Sequence, residues 1–473
     1  MLFTVILLPI FGAIITWLFC RRPTEIFFVG LLTTILTFIE TLYLYHCFDW
    51  NTGEFQFVSA GILGADGISI VMILLTSFLM CITLLSTWKA IQVQLKTLVI
   101  LLLTIESLIL GVFLATDLLL FYVSFEATLI PLFFLVGIYG SRDRKVQAAY
   151  ELFLYTFLGS LVMLVGVLAI YFEFGTLQYQ YLLSVPISED RQYWLWIAFF
   201  LSFAIKVPMV PFHIWLPEAH VEAPTAGSVL LAGIILKLGG YGFIRYSLAL
   251  FPEASVAFRP LVFTLALIGI LYASIACLAQ TDIKKVIAYS SVAHMNTSLL
   301  GLFSGSLSGI AGSIFFMVSH GLISSALFLL VGVLYDRYHT RTVLYYRGLV
   351  LVMPLFALFF LFFTMANIAF PGTSSFIAEL MSFLGSINTN PILTLFATTA
   401  MVLGPCYALW YYHQISYGSI SPYLPHLFMD VSLKEFHLFL PLALFTIILG
   451  LMPSMVLNII TLPCLHLIAY LIL

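Results

Sequence analysis

The stretch SFAIKVPMVPFHIWLPEAHVEAPT, residues 202–225, decides how the whole chain is read. Lys206 stands midway along an apolar run long enough to cross a bilayer. Prolines follow at 208, 211 and 217, with a histidine at 213. An amine at that depth loses its hydration, and each proline removes a backbone donor and disrupts a helix. Both features are costly, so both need a reason.

Working outward, 62% of the 473 residues are hydrophobic and 8% are charged. Soluble domains carry roughly 25% charged residues, so this composition marks an integral membrane protein. Continuous apolar runs of ~20 residues, each enough for a ~30 Å hydrocarbon core, recur along the chain. About fourteen such segments begin near residues 2, 26, 67, 95, 118, 147, 194, 226, 259, 284, 309, 348, 392 and 437. They lack the alternation of membrane β-strands, and the expected fold is all-α. The tail after residue 460 either continues the last helix or lies on the surface. Cysteines 20, 47, 81, 277, 406 and 464 stand singly, which points to no iron–sulfur cluster or structural zinc. GILGADG at 61–67 has the wrong spacing for a nucleotide loop, and no basic cluster suits nucleic acid. The N-terminus, MLFTVILLPIFGAIITWLFC, shows no Arg-rich presequence and gives no expectation of a cleaved signal.

The basic residues sort by parity. Arg21, Arg22, Lys89, Lys96, Arg142, Arg144, Lys145, Lys284, Lys285, Arg337, Arg341, Arg347 and Lys434 follow odd-numbered segments. Arg191, Arg245 and Arg259 lie near connections after even ones, leaving Lys206 and Lys237 as basic residues inside spans. The positive-inside bias then puts odd connections in the matrix or cytoplasm and both termini on the other side. Segments 4–8 and 9–13 share a plan, because the fourth of each set is proline-interrupted and carries an ionisable group. Lys206 marks segment 7, and Glu379, after FPG at 370–372, marks segment 12. Five crossings reverse direction, so the two sets are expected to be inverted repeats, whose broken helices point to a transport path. The expected divisions are 1–94, 95–250, 258–417 and 437–473 within one membrane domain. PEAHVEAP, from Pro217, reads as the exit loop of segment 7.

Inside the spans lie Glu106, Glu126, Lys206, Lys237, His294, His320 and Glu379. Five buried charges facing lipid would cost on the order of 10–15 kcal/mol, so they must face one another, protein or water. Snorkelling does not rescue Lys206, which lies ~15 Å from either end of its span with a side chain reaching ~6 Å. The histidines have a blander explanation as satisfied helix contacts. An amine withdrawn from water loses proton affinity and regains it when a carboxylate approaches. Glu126 is the natural partner of Lys206, and Lys237, His294 and Glu379 extend the series. The prolines free backbone groups that water or side chains must satisfy, which suits a hydrated path.

KVPMVPFHIWLPEAHVEAPT (206–225), DLLLFYVSFEATLIP (117–131), TDIKKVIAYSSVAHMN (281–296), SHGLISSALFLLVGVLYDR (319–337) and NIAFPGTSSFIAEL (367–380) together resemble one family. It is the antiporter-like proton-translocating subunits of NADH:quinone oxidoreductase, respiratory complex I. The resemblance covers roughly residues 95–390 by motif and is closest to the middle-positioned, mitochondrial type. It implies an input pair at Glu126 and Lys206, a central Lys237 and an exit acid at Glu379. His213, His220, His294, His320 and Glu106 match further family positions. It also implies that FMN, iron–sulfur clusters, NADH and ubiquinone are bound by other subunits, with no cofactor or metal in this chain. Neighbouring antiporter-like chains would be its partners, with phospholipids such as cardiolipin at its flanks, in the mitochondrial inner membrane. The rival is a subunit of a multi-subunit cation/proton antiporter, against which stands an acid, not lysine, at 379.

Overall fold

A computed structural model of the chain describes residues 1–88, 90, 93–422 and 429–472. Lys89 lies outside the described residues. The described residues are almost wholly helical, and among them eleven helices are long and apolar enough to cross a membrane. Two of these, Thr225–Leu248 and Leu307–Tyr338, are buried along their apolar stretch and form the centre. Outer helices keep large apolar side chains on the surface, such as Val165, Phe172 and Leu395, as a lipid environment permits. Two shorter apolar helices, Leu2–Leu18 and Pro354–Asn367, complete the count of apolar elements. One departure from an all-helical chain is a small antiparallel pair, Gln56–Ser59 with Leu63–Ala65, in the 48–66 connection.

The connections gather by parity. After segments 2, 4 and 6 they meet at one end, where Leu63 bridges Ala115 and Asp117 bridges Gln178. After odd segments they meet at the other. There Asp282 bridges Thr342, Gly348 N–H donates to Tyr417 O at 3.2 Å, and Lys434 Nζ donates to Ser86 O at 3.2 Å.

Segment 7 breaks directly after its lysine: Glu189–Lys206 ends there, and helix resumes at Trp215–Glu222. The sequence reading of PEAHVEAP as a loop is therefore corrected. Pro217 sits in the first helical turn, where its missing N–H has no intrahelical partner to lose. The carbonyls freed by the break are met by protein. Trp215 Nε1 donates to Ile205 O at 3.0 Å, and Asn296 Nδ2 of segment 10 donates to Pro208 O at 3.3 Å. Segment 12 breaks between Pro354–Asn367 and Ser374–Thr389. Its own hydroxyls do the same work: Ser375 Oγ donates to Ala366 O, and Thr373 Oγ1 to Phe370 O at 2.7 Å.

Two interruptions were not expected. Segment 5 divides at Thr128 into Leu118–Ala127 and Leu129–Tyr139, because Pro131 cannot donate to the carbonyl of Ala127. Segment 8 alternates α and π turns, with π at Leu231–Ile235 and Phe243–Leu248 enclosing an α piece, Leu236–Gly242. The tail forms its own helix, Ser454–Ile472, which packs on segment 3 and Leu307–Tyr338. A Cβ on Gly67 would lie 2.2 Å from Ile459 O, so only glycine lets the tail approach the start of segment 3 so closely.

Candidate functional site

Lys206 is the last residue of its helix and is 1% exposed. Its place there is electrostatically favourable, since a helix C-terminus carries partial negative charge. Its Nζ makes no hydrogen bond and lies 4.2 Å from the centroid of the Phe125 ring. Glu126 is next in sequence to that ring and half-buried, with Lys206 and the Ser160 hydroxyl as the polar groups acting on it. No Glu126–Lys206 ion pair within 4.0 Å occurs among the described residues. The two groups are electrostatic neighbours rather than a closed pair.

Segment 8 comes against Lys206 through glycine. A Cβ at Gly239 would stand 3.0 Å from Lys206 Cβ and 2.6 Å from a Val207 methyl. Two residues earlier is Lys237, fully buried at the centre. Its Nζ donates to Ala232 O, five residues back in the π turn, and lies 2.8 Å from His320 Nδ1. The π turn leaves a carbonyl available to the amine, and such turns occur often at functional sites. The His294 ring centroid is 5.9 Å from that of His320, and its imidazole faces Asn367 at the segment 12 break. Beyond it lies a cavity of about 40 Å³ with mostly apolar walls, Leu327, Phe360 and Ile415 among them, and with Ser290, Thr364, Asn367 and Tyr407 among its polar members. Tyr407 is within electrostatic reach of Glu379, which is 6% exposed. The structure thus brings Lys237, His320 and His294 into one row and leaves Glu379 outside it. The direct link from Lys237 runs through His320, where the sequence reading had named His294 next.

Of the remaining candidates, His220 lies within electrostatic reach of Lys237 and His320, and among the described residues no direct contact joins His213 or Glu106 to this row. His213 sits in the segment 7 break, edge-on to Tyr272 with centroids 5.1 Å apart. His220 is stacked on Phe328 at 4.6 Å, with both ring nitrogens unpartnered by hydrogen bonds. Glu106 accepts from Thr37 Oγ1 at 2.7 Å and is buried against segment 2. Among the described residues, no group of three or more His, Cys, Asp or Glu side chains is placed to hold a metal.

Two buried charge clusters escaped the sequence reading. Arg245, assigned there to a connection, lies inside Thr225–Leu248, 8% exposed, and is ion-paired with Asp66. The aspartate stood at the end of a connection, so its partner on a distant segment was invisible. At the opposite end Arg341, fully buried, donates to Val221 O and lies 3.9 Å from Glu222 and 3.8 Å from Asp282. Beside it Lys284 Nζ donates to Ala223 O at 3.0 Å. Their signal was charge in short connections, which looks solvated until the connections are seen to meet.

Comparison with known proteins agrees with this geometry. Residues 115–404 match the family described as NADH:quinone oxidoreductase/Mrp antiporter, TM. The chain is 52% identical over 433 residues to NADH-ubiquinone oxidoreductase chain 4 of Chondrus crispus, covering 89% of this chain and 88% of that one. It is 49% identical to the Arabidopsis thaliana chain of the same name, covering 98% and 94%. Among solved structures, a chain of respiratory complex I from Thermus thermophilus with bound NADH superposes with TM-score 0.88 at 29% identity, each chain covered completely. With its interrupted helices and buried lysines, the chain belongs to the NADH-ubiquinone oxidoreductase chain 4 family, the antiporter-like proton-translocating subunits of the complex I membrane arm.

Proposed function

We propose that this chain moves protons along the buried row Glu126, Lys206, Lys237, His320, His294 and Glu379, driven by redox chemistry in other subunits. The observation that carries this reading is the Lys237–His320 contact at 2.8 Å, with Lys206 held against the same helix at Gly239. An amine and an imidazole at that distance can share or pass one proton. Lys206, whose Nζ lacks a hydrogen-bond partner, is poised to give its proton up or to recover it as Glu126 withdraws or approaches. Glu379, reached across the Asn367–Tyr407 cavity, receives the proton at the far end. FMN, iron–sulfur clusters, NADH and ubiquinone then belong to other subunits, and neighbouring antiporter-like chains are the partners.

The meeting of odd connections at one end and even ones at the other supports fourteen crossings, with segments 4–8 and 9–13 as inverted repeats. Segment 14 descends as Leu433–Leu451, and the tail helix finishes the crossing near Gly67 and then reaches the 53–66 connection. Together with the positive-inside bias, that topology supports both termini on the intermembrane-space side of the mitochondrial inner membrane, with the basic connections in the matrix.

The test is paired measurement of NADH:quinone turnover and proton pumping in vesicles carrying Lys206→Met, with assembly confirmed on a native gel. Joint collapse of both activities in an assembled complex is the expected result. Normal turnover with a normal proton-to-electron ratio would make Lys206 structural and sink the route.

A further inference from the structure

Below Lys237 the same helix carries a second polar column. Tyr241 and Arg245 follow at intervals of four, each about 6 Å further along the axis. Tyr241 Oη donates to Phe113 O at 2.9 Å and lies 3.0 Å from Ser69 Oγ. Arg245 Nε donates to Tyr241 Oη at 3.1 Å. The guanidinium is ion-paired with Asp66 and lies over the Phe55 ring, 4.8 Å from its centroid. Asp66 is itself fixed, because its Oδ1 caps the Gly67–Thr87 helix by accepting Ser69 N–H at 2.9 Å. On the outer side of the pair opens a pocket of about 470 Å³, lined by Glu54, Asp66, Tyr179, Arg245, His466 and Tyr470.

We propose that the Asp66–Arg245–Tyr241 cluster is a proton seal, closing the direct way from Lys237 to the pocket beneath the 48–66 connection. The inference rests on Lys237 being a proton site, as proposed above. A polar column that stops at a water-accessible pocket is a short circuit unless something closes it. A fixed cation does so twice over. It repels a proton arriving from either side, and with no ionisable proton to lend at working pH it cannot relay one. The tyrosine hydroxyl, committed to Phe113 O, has no free proton to hand on. The seal joins segments 3, 4 and 8, and its outer wall is the tail helix. Proton transfer between Lys237 and the solvent at this end is thereby confined to the lateral row.

The test uses the intact complex in sealed vesicles carrying Arg245→Leu, with Asp66→Asn as the second variant, since asparagine keeps the helix cap. For Arg245→Leu the seal predicts near-normal NADH:quinone turnover, a proton-to-electron ratio lowered severalfold, and faster passive proton leak in vesicles at rest. Asp66→Asn, which keeps the cation and removes its counter-charge, should leak no more than the native complex. Adding Lys237→Met to Arg245→Leu should remove the extra leak, showing that it passes through Lys237. The proposal is overturned if Arg245→Leu assembles with unchanged leak and ratio, if less complex assembles but each assembled copy pumps normally, or if Asp66→Asn leaks as much as Arg245→Leu. It is also overturned if the leak persists in the double variant. Lys237→Met alone separates the two ideas: if it leaves pumping intact, the row is wrong whatever the seal does.

Discussion

Segments 4–8 and 9–13 open their second helix with the same device. Asp117 accepts Leu119 and Leu120 N–H at 2.9 and 3.1 Å and bridges Gln178 at one end of the molecule. Asp282 accepts Lys284 N–H at 2.9 Å and bridges Thr342 at the other. What differs is the interrupted helix. In the first set the base closes the outgoing half-helix, and the break is held by Trp215 and, from the second set, Asn296. In the second set the acid comes after the break, which is held by its own threonine and serine. The first break is tied to the other set, whereas the second is held within its own set, where Ser374 Oγ also lies 2.9 Å from Ser319 Oγ of segment 11. Segment 10, which carries His294, therefore touches both breaks, through Asn296 at the first and His294 at the second.

The sharpest way to break this comparison is Lys206→Arg. Arginine keeps the charge but cannot release a proton. If Lys206 is a carrier, turnover and pumping fall by about 10²-fold, the scale of a lost acid–base group, in a complex that still assembles. Retained activity would mean that the first set needs only a fixed cation. Next come the twin caps. Asp117→Ala should cost about 1 kcal/mol of stability and Asp282→Ala about 2 kcal/mol, because the latter also strips the buried Arg341 of a counter-charge. Thermal unfolding of the assembled complex checks this, and equal losses would deny Arg341 any part. Glu379→Gln should lower coupled turnover about tenfold, less than at Lys206, since it ends the row rather than linking two members. A loss as deep as that of Lys206→Arg would make both sets equally obligatory. The smallest effect is expected from Phe125→Leu. Removing the ring under the amine withdraws about 1 kcal/mol of cation–π attraction, read as a shift in the pH profile of turnover. An unmoved profile would leave the ring a packing element.

These two sets also show what a sequence discloses. The breaks at Lys206 and at FPG, the parity of basic connections and the buried Lys237 and Glu379 were legible because proline and charge are conspicuous in apolar sequence. The π turns of segment 8 were not, since leucine, alanine, glycine and isoleucine suit either helix. Arg245 was misplaced by a few residues of boundary, and Asp66 sat in what looked like open loop. The His320–Lys237 contact joins residues 83 positions apart, a separation that periodicity within one helix cannot bridge. Pro217 misled because proline in a first turn and proline in a loop look alike.

The two π turns enclosing Leu236–Gly242 have one more consequence. Each holds a surplus residue, and a surplus can migrate along a helix without unwinding it. If one wide turn passed Lys237, the short piece carrying it would rotate by about 100°, and its amine would sweep an arc instead of sliding along the axis. Gly239, Gly240 and Gly242 leave that piece slim, although its close neighbours Val207, Met317 and Phe203 would have to give way. Segment 8 would then act as a dial with a small number of stops, able to turn the amine away from His320 while both helix ends stay where they are.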